Sequence, residues 1–178
     1  ESARRMELYV EDHKSSIQAI LVPPASVGEE KHTAGLKVTL YEDMPYIDIK
    51  LSVVNKPATE EPAAGWIALP FLTVEPEYRI GRLGSVIDPA KDLIEGSQFN
   101  YIWSNSGLMI KDKEYSIGIC ALDAPAFQLG DLNFMHFADK YENPRSHVYF
   151  NLFNNRWNTN FTSFWHGNLT TEVRLWVN

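Results

Sequence analysis

Residues 147–167, HVYFNLFNNRWNTNFTSFWHG, carry seven aromatic rings and five asparagines around a single fixed positive charge, Arg156. Flat apolar faces beside neutral amides suit a sugar. Its C–H faces stack on rings and its hydroxyls pair with amides, and neither side has to strip a charge of water. Trp157 offers the stacking face, with Asn158 and Asn160 as hydrogen-bonding amides and Asn155 beside them. These residues are expected on a rim that faces a carbohydrate. The competing reading is structural. Asparagine tolerates left-handed backbone and caps turns, so NNRWNTNF also reads as an ordered loop around a core tryptophan.

Two carboxylates, Asp123 and Asp131, bracket DAPAFQLGD. Such a pair works as acid and base in glycoside cleavage when about 5–10 Å apart across a sugar. Each also reads as a turn residue, Asp123 ahead of Ala-Pro and Asp131 after Gly130. Both stand as candidate substrate contacts. His136, His147 and His166 form no H-x-H pair, so no metal site is expected among them. The chain lacks a G-x-S-x-G elbow, a P-loop, a G-x-G-x-x-G turn and an H-E-x-x-H helix. GRLG (81–84) reads as a turn or bulge, not as a phosphate cradle. Cys120 is the only cysteine, which rules out an internal disulfide, and inside YSIGICALDA it reads as a small buried hydrophobe.

The elements that would position these groups are β-strands. PYIDIKLSVVN alternates Ile47, Ile49, Leu51 and Val53 with Asp48, Lys50 and Ser52, which predicts one buried and one wet face. GLKVTLYE (35–42) has the same rhythm and joins it through EDMP as a hairpin. Residues 6–10, IQAILV (17–22), WIALPFLTV with an edge or bulge at Pro70, HVYFNLF and LTTEVRLWV add further strands. MIKDKEYSIGI adds a hairpin turning near Lys111–Glu114. On the strand from His147, Val148, Phe150 and Leu152 form the core face. One short helix is expected near 89–95, capped by Asp88, started by Pro89 and closed at Gly96. The sum is an all-β antiparallel sandwich of at least eight strands, read as one domain over 1–178. The chain is acidic, with a net charge of −7 and no basic cluster, which excludes nucleic acid and anionic membrane as expected partners. No apolar run reaches membrane-spanning length, so a soluble chain is expected, with no compartment assigned. Its first residues, ESARRMELYV, carry no signal core and read as a cut into a longer polypeptide.

AGWIALPF, YRIGRLGSVIDPAKDLIEGS, WSNSG, ALDAPAFQLGD and above all FNLFNNRWNTNF resemble the C-terminal half of bacterial glycosyl hydrolases related to glycoside hydrolase family 38, the α-mannosidases. The resemblance spans roughly residues 35–178. It implies a galactose-mutarotase-like sandwich that braces an upstream catalytic domain of the same polypeptide. Zinc and the nucleophilic aspartate would belong to that upstream domain, so no cofactor is expected in this chain. The fragment alone is then expected to hydrolyse no glycoside. The sugar-facing loop of the α-mannosidases has paired glycines and an arginine that ALDAPAFQLGD lacks. A second resemblance is carried by HVYFNL (147–152), which is similar to a strand of aldose 1-epimerases whose histidine takes part in ring opening. A purely structural domain is the third reading.

Overall fold

The computed structural model describes residues 2–11, 13–22, 33–133, 137–142, 144–155 and 164–178. It is antiparallel β almost throughout, a sandwich with one short helix, as the alternation predicts. The residues group into two compact units, Glu1–Gly65 with Phe153–Arg174, and Trp66–Leu152 with Leu175–Asn178.

The first unit is a meander of β1 (Ser2–Glu11), β2 (Lys14–Val22), β3 (Thr33–Tyr41) and β4 (Ile47–Lys56), followed in lateral order by β13 (Gly167–Val177). The 42–45 hairpin forms as expected between β3 and β4. Register places Leu8, Ile17, Val38 and Ile49 in one cross-strand row and Tyr9, Ser16, Thr39 and Asp48 in the next, on the opposite face. The burial differs from the simple alternation. Asp48 is only 5% exposed, and Ser16 and Thr39 beside it are buried, whereas Leu8, Val10, Ile17 and Leu40 are exposed. The physical reason is a partner distant in sequence. Arg174 on β13 donates two bonds to the Asp48 carboxylate, at 2.8 and 2.9 Å, and the Tyr41 hydroxyl donates a third at 2.8 Å. The Arg174 guanidinium also lies 3.9 Å from the Tyr46 ring centroid, so the polar row is roofed by long side chains. At the end of β4, Lys56 is buried too. It donates to the carbonyls of Pro57 and Trp165 and faces the rings of Phe153 and Trp165, and burial lowers its pKa.

The second unit holds two sheets. One has the order β10 (Ser116–Ala121), β9 (Gly107–Lys111), β6 (Glu77–Arg82), β7 (Ser85–Ile87), and the other β5 (Ala64–Pro70), β12 (His147–Asn154), β11 (Ala126–Leu129), β8 (Ile102–Trp103). Both feed the core. Ile80, Ile110 and Ile119 come from the first sheet and Phe127, Val148 and Phe150 from the second, all essentially inaccessible. Pro70 ends an edge strand, where its missing N–H costs no ladder bond. Val148 and Phe150 form the core face expected of β12, with Leu152 half-buried. Cys120 is half-buried rather than fully inside.

GRLG is a turn. Leu83 and Gly84, at φ 51° and 80°, make the two-residue connection of the β6–β7 hairpin. The helix α1 (Pro89–Asp92) is shorter than the sequence suggests. Asp88 caps it, accepting from the Ala90 N–H at 3.0 Å, but the backbone is extended again at Leu93. Gly96 does adopt a positive φ of 84°, yet its N–H goes to the Asp139 carbonyl at 3.1 Å and closes no helix.

Candidate functional site

A cleft of about 540 Å³ in the second unit opens where β11 ends. Its size falls in the range of small-ligand sites. One wall is the end of β11 and the strap that follows it, Leu129–Asn133. The opposite wall is the segment 138–145 leading into β12, and Phe99 and Asn100 close one side.

Backbone and amide bonds build these walls. The Phe99 N–H donates to the Ala138 carbonyl at 2.8 Å, and the Ala138 N–H donates to Asn100 Oδ1. The buried Tyr78 hydroxyl reaches the carbonyls of Pro144 and Arg145 at 3.1 and 2.7 Å, which fixes the other wall from beneath. Gly130 has φ 81°, and a Cβ there would meet the Pro144 Cβ at 2.7 Å, so glycine lets the two walls approach. Its N–H donates to the His147 carbonyl at 2.9 Å. Gln128, 1% exposed, accepts from the Asn133 N–H at 2.9 Å and donates to the Asn133 carbonyl at 3.1 Å.

The groups that a ligand meets differ in kind from those that build the walls. Asp131 and Arg145 pair at 3.1 Å across the mouth, with side chains 73% and 70% exposed. Such an exposed pair is worth about 0–1 kcal/mol, so either member can turn to a ligand at little cost. Lys140 and Glu142 also line the cleft and are exposed. The rings of Phe99 and Tyr141 lie 6.5 Å apart, tilted by 55°, and give the cleft an aromatic side. Burial, with Asp88 adding to it, pushes the Tyr141 hydroxyl up to about 12, so it stays a proton donor at neutral pH. An aromatic side and charged hydrogen-bonding groups around an open space suit a polyhydroxylated ligand. The charged groups would serve its hydroxyls, while the neutral amides hold the protein together.

Of the residues singled out by sequence, Asp131 is in the cleft. Asp123 stands on an exposed bend between β10 and β11 and does not line it. Asn155 gives its whole amide to a loop: Nδ2 donates to the carbonyls of Thr59 and Glu61, both at 2.8 Å, and Oδ1 accepts from the Ala63 N–H. Trp157, Asn158 and Asn160 lie outside the described residues, as does His136. His147 heads β12, half-buried, with its ring 6.3 Å from that of Tyr149, and His166 is exposed. Gln128, Tyr141, Glu142 and Arg145 escaped the sequence reading. The signal for three of them was KYENPR (140–145), a charged, aromatic, proline-containing loop just ahead of a core strand, where binding groups concentrate. Among the described residues no three His, Cys, Asp or Glu side chains gather as a metal site, and no helix is long and apolar enough to cross a membrane.

No family model and no curated protein matches the chain. Solved structures do. A candidate aldose 1-epimerase from Escherichia coli is 14% identical, matched over 97% of this chain and 68% of its own, with a TM-score of 0.55. The fold is galactose-mutarotase-like. A candidate aldose 1-epimerase from Klebsiella pneumoniae (8% identity, 97% and 53% coverage, TM-score 0.48) and a galactose mutarotase related enzyme from Lactobacillus acidophilus (12%, 97% and 71%, TM-score 0.48) are further neighbours. The sandwich type expected from the family 38 resemblance is thus the one observed, while nothing in the comparisons supports kinship with that family itself.

Proposed function

We propose that this chain is a sugar-handling sandwich of the aldose 1-epimerase type, with the cleft beyond β11 as its sugar site. The observation that carries the reading is the mutarotase-like fold over 97% of the chain, joined to a cleft of about 540 Å³ with an aromatic side and a charged mouth. Interconverting two anomers of an aldose needs a base to take the proton from the anomeric hydroxyl and an acid to protonate the ring oxygen. The ring opens to the aldehyde, the C1–C2 bond turns, and the same transfers run backwards on the other face. No electrons leave the sugar. Asp131 and Glu142 are the carboxylates available as base, and Tyr141 is available as donor. His147, which the epimerase resemblance would make the ring-opening residue, does not line this cleft.

The test is polarimetry of freshly dissolved α-D-glucose and α-D-galactose. The chain should speed the approach to rotational equilibrium beyond a heat-killed control. Asp131→Asn should slow it about 100-fold, the scale of general acid–base catalysis, with little change in melting temperature because the pair it breaks is exposed. A wild-type rate equal to the control would end the epimerase reading.

The second reading is a non-catalytic sandwich that binds carbohydrate weakly and braces an upstream catalytic domain of a family 38-like glycoside hydrolase, zinc included. FNLFNNRWNTNF favours it, as does the lack of a histidine among the described cleft residues. It predicts galactose or mannose binding without mutarotation, and no aglycone release from aryl mannosides with zinc added.

A further inference from the structure

The mouth of the cleft is set by the strap that runs on from the end of β11. Asp131 sits on it between Gly130 and Asn133, and Gln128 spans its base. The Gln128 side chain treats Asn133 as a neighbouring strand would, taking its N–H and giving to its carbonyl at 2.9 and 3.1 Å. It does so from a position that is 1% exposed, where an unmade bond is costly. Both ends of the strap are then fixed: at Gly130 by the N–H bond to His147 and the contact with Pro144, and at Asn133 by Gln128. Between these anchors the Asp131 carboxylate accepts from Arg145 at 3.1 Å.

We propose that Gln128 is the positioning residue of this cleft, an internal amide that holds the Asp131 carboxylate at the mouth where a sugar hydroxyl is received. The assignment rests on the sugar-site reading above, but the clamp itself can be tested without sugar. Leucine at 128 removes both bonds that Gln128 makes to Asn133. Glutamate at 128 is more telling. Its neutral acid form can still accept from the N–H and donate to the carbonyl, whereas its ionised form sets a carboxylate oxygen against the carbonyl. Burial keeps such a group neutral to higher pH than an exposed glutamate.

The experiment compares wild type, Gln128→Leu and Gln128→Glu at about pH 5 and about pH 8, which bracket the raised titration of a buried carboxyl. Two quantities are read: exchange of the Asn133 amide proton by NMR, and calorimetric affinity for D-galactose and D-glucose. Gln128→Leu should lose Asn133 protection and about tenfold in affinity at both pH values, the loss of roughly one buried bond. Gln128→Glu should match wild type at the lower pH, where it folds with the neutral acid, and behave like the leucine variant at the higher. The other titratable groups at the cleft, Asp131, Lys140, Tyr141, Glu142 and Arg145, are common to all three proteins, so wild type at both pH values removes their contribution. Unchanged Asn133 protection in Gln128→Leu overturns the clamp whatever the sugar does. Lost protection with unchanged affinity overturns the positioning role. A wild type that binds neither sugar overturns the sugar site and with it the role of Gln128 toward a ligand, while the exchange data still decide the clamp.

Discussion

Asp48 shows how one buried side chain writes a pH dependence into the fold. Its bonds from Arg174, and then from Tyr41, hold the carboxyl below its ordinary value, against the burial that would raise it. A carboxyl depressed in the folded state contributes stability that is present above the unfolded value, near 3.9, and is lost as pH falls through the folded one. Urea denaturation from about pH 6 down to about pH 2 should therefore show a falling limb that Asp48→Asn flattens. The same bond pushes the Tyr41 hydroxyl up to about 12, so Tyr41 remains a donor over that whole range. Arg174→Met should cost about 3–5 kcal/mol, because it strands a buried carboxylate. Combining it with Asp48→Asn should cost clearly less than the two single changes added together. Additive losses would mean that the two side chains are not one network.

Among the elements, the β6–β7 hairpin carries a correctable flaw. Leu83 sits at φ 51°, a conformation that L-residues other than asparagine and aspartate seldom adopt, and its side chain is 86% exposed. Asn-Gly is the preferred pair for a two-residue turn with both φ angles positive. Leu83→Asn should thus stabilise the protein by about 1 kcal/mol, seen as a higher melting temperature, since no buried contact is lost. A lower melting temperature would sink the argument. Turns and strands of this kind were legible in sequence because their signals are local: alternation for β3, β4 and β12, Pro70 for an edge, two glycines around a turn. The Asp88–Pro89 start of α1 was legible for the same reason, but its length was not. Past its end the Gly96 N–H bonds the Asp139 carbonyl, more than forty residues on, a contact that no local pattern announces. The burial of Asp48 was hidden likewise, because its counter-charge is 126 residues away. At the site, Asp131 could be read as a turn residue after Gly130. That Arg145 meets it, and that Gln128 braces it, depends on which loops converge, and alternation is silent on that.

For the molecule as a whole, the balance between charge and exposed apolar surface decides how it behaves in solution. The net charge of −7 keeps copies apart at low salt. Against this, β1, β2 and β3 present Leu8, Val10, Ile17 and Leu40 on one face, 67%, 74%, 43% and 46% exposed. Contiguous apolar surface of this kind is uncommon on soluble monomers. At about 1 M salt the screening length shrinks to roughly 3 Å, so repulsion between copies is largely removed and the apolar term should prevail. The protein should then bind a hydrophobic dye and scatter more light. Replacing Leu8 and Val10 together by lysine separates the two terms, because they predict opposite signs. The added positive charges make the chain less acidic, so if repulsion dominated, the double variant would associate more than wild type at low salt. If the apolar face dominates, it should associate less at every salt concentration and bind less dye, with an unchanged far-ultraviolet circular dichroism spectrum. The second outcome is expected, since each lysine removes a largely exposed aliphatic side chain worth about 1.5–3 kcal/mol if buried. Equal scattering by the two proteins at high salt would show that this face of β1–β3 drives no association.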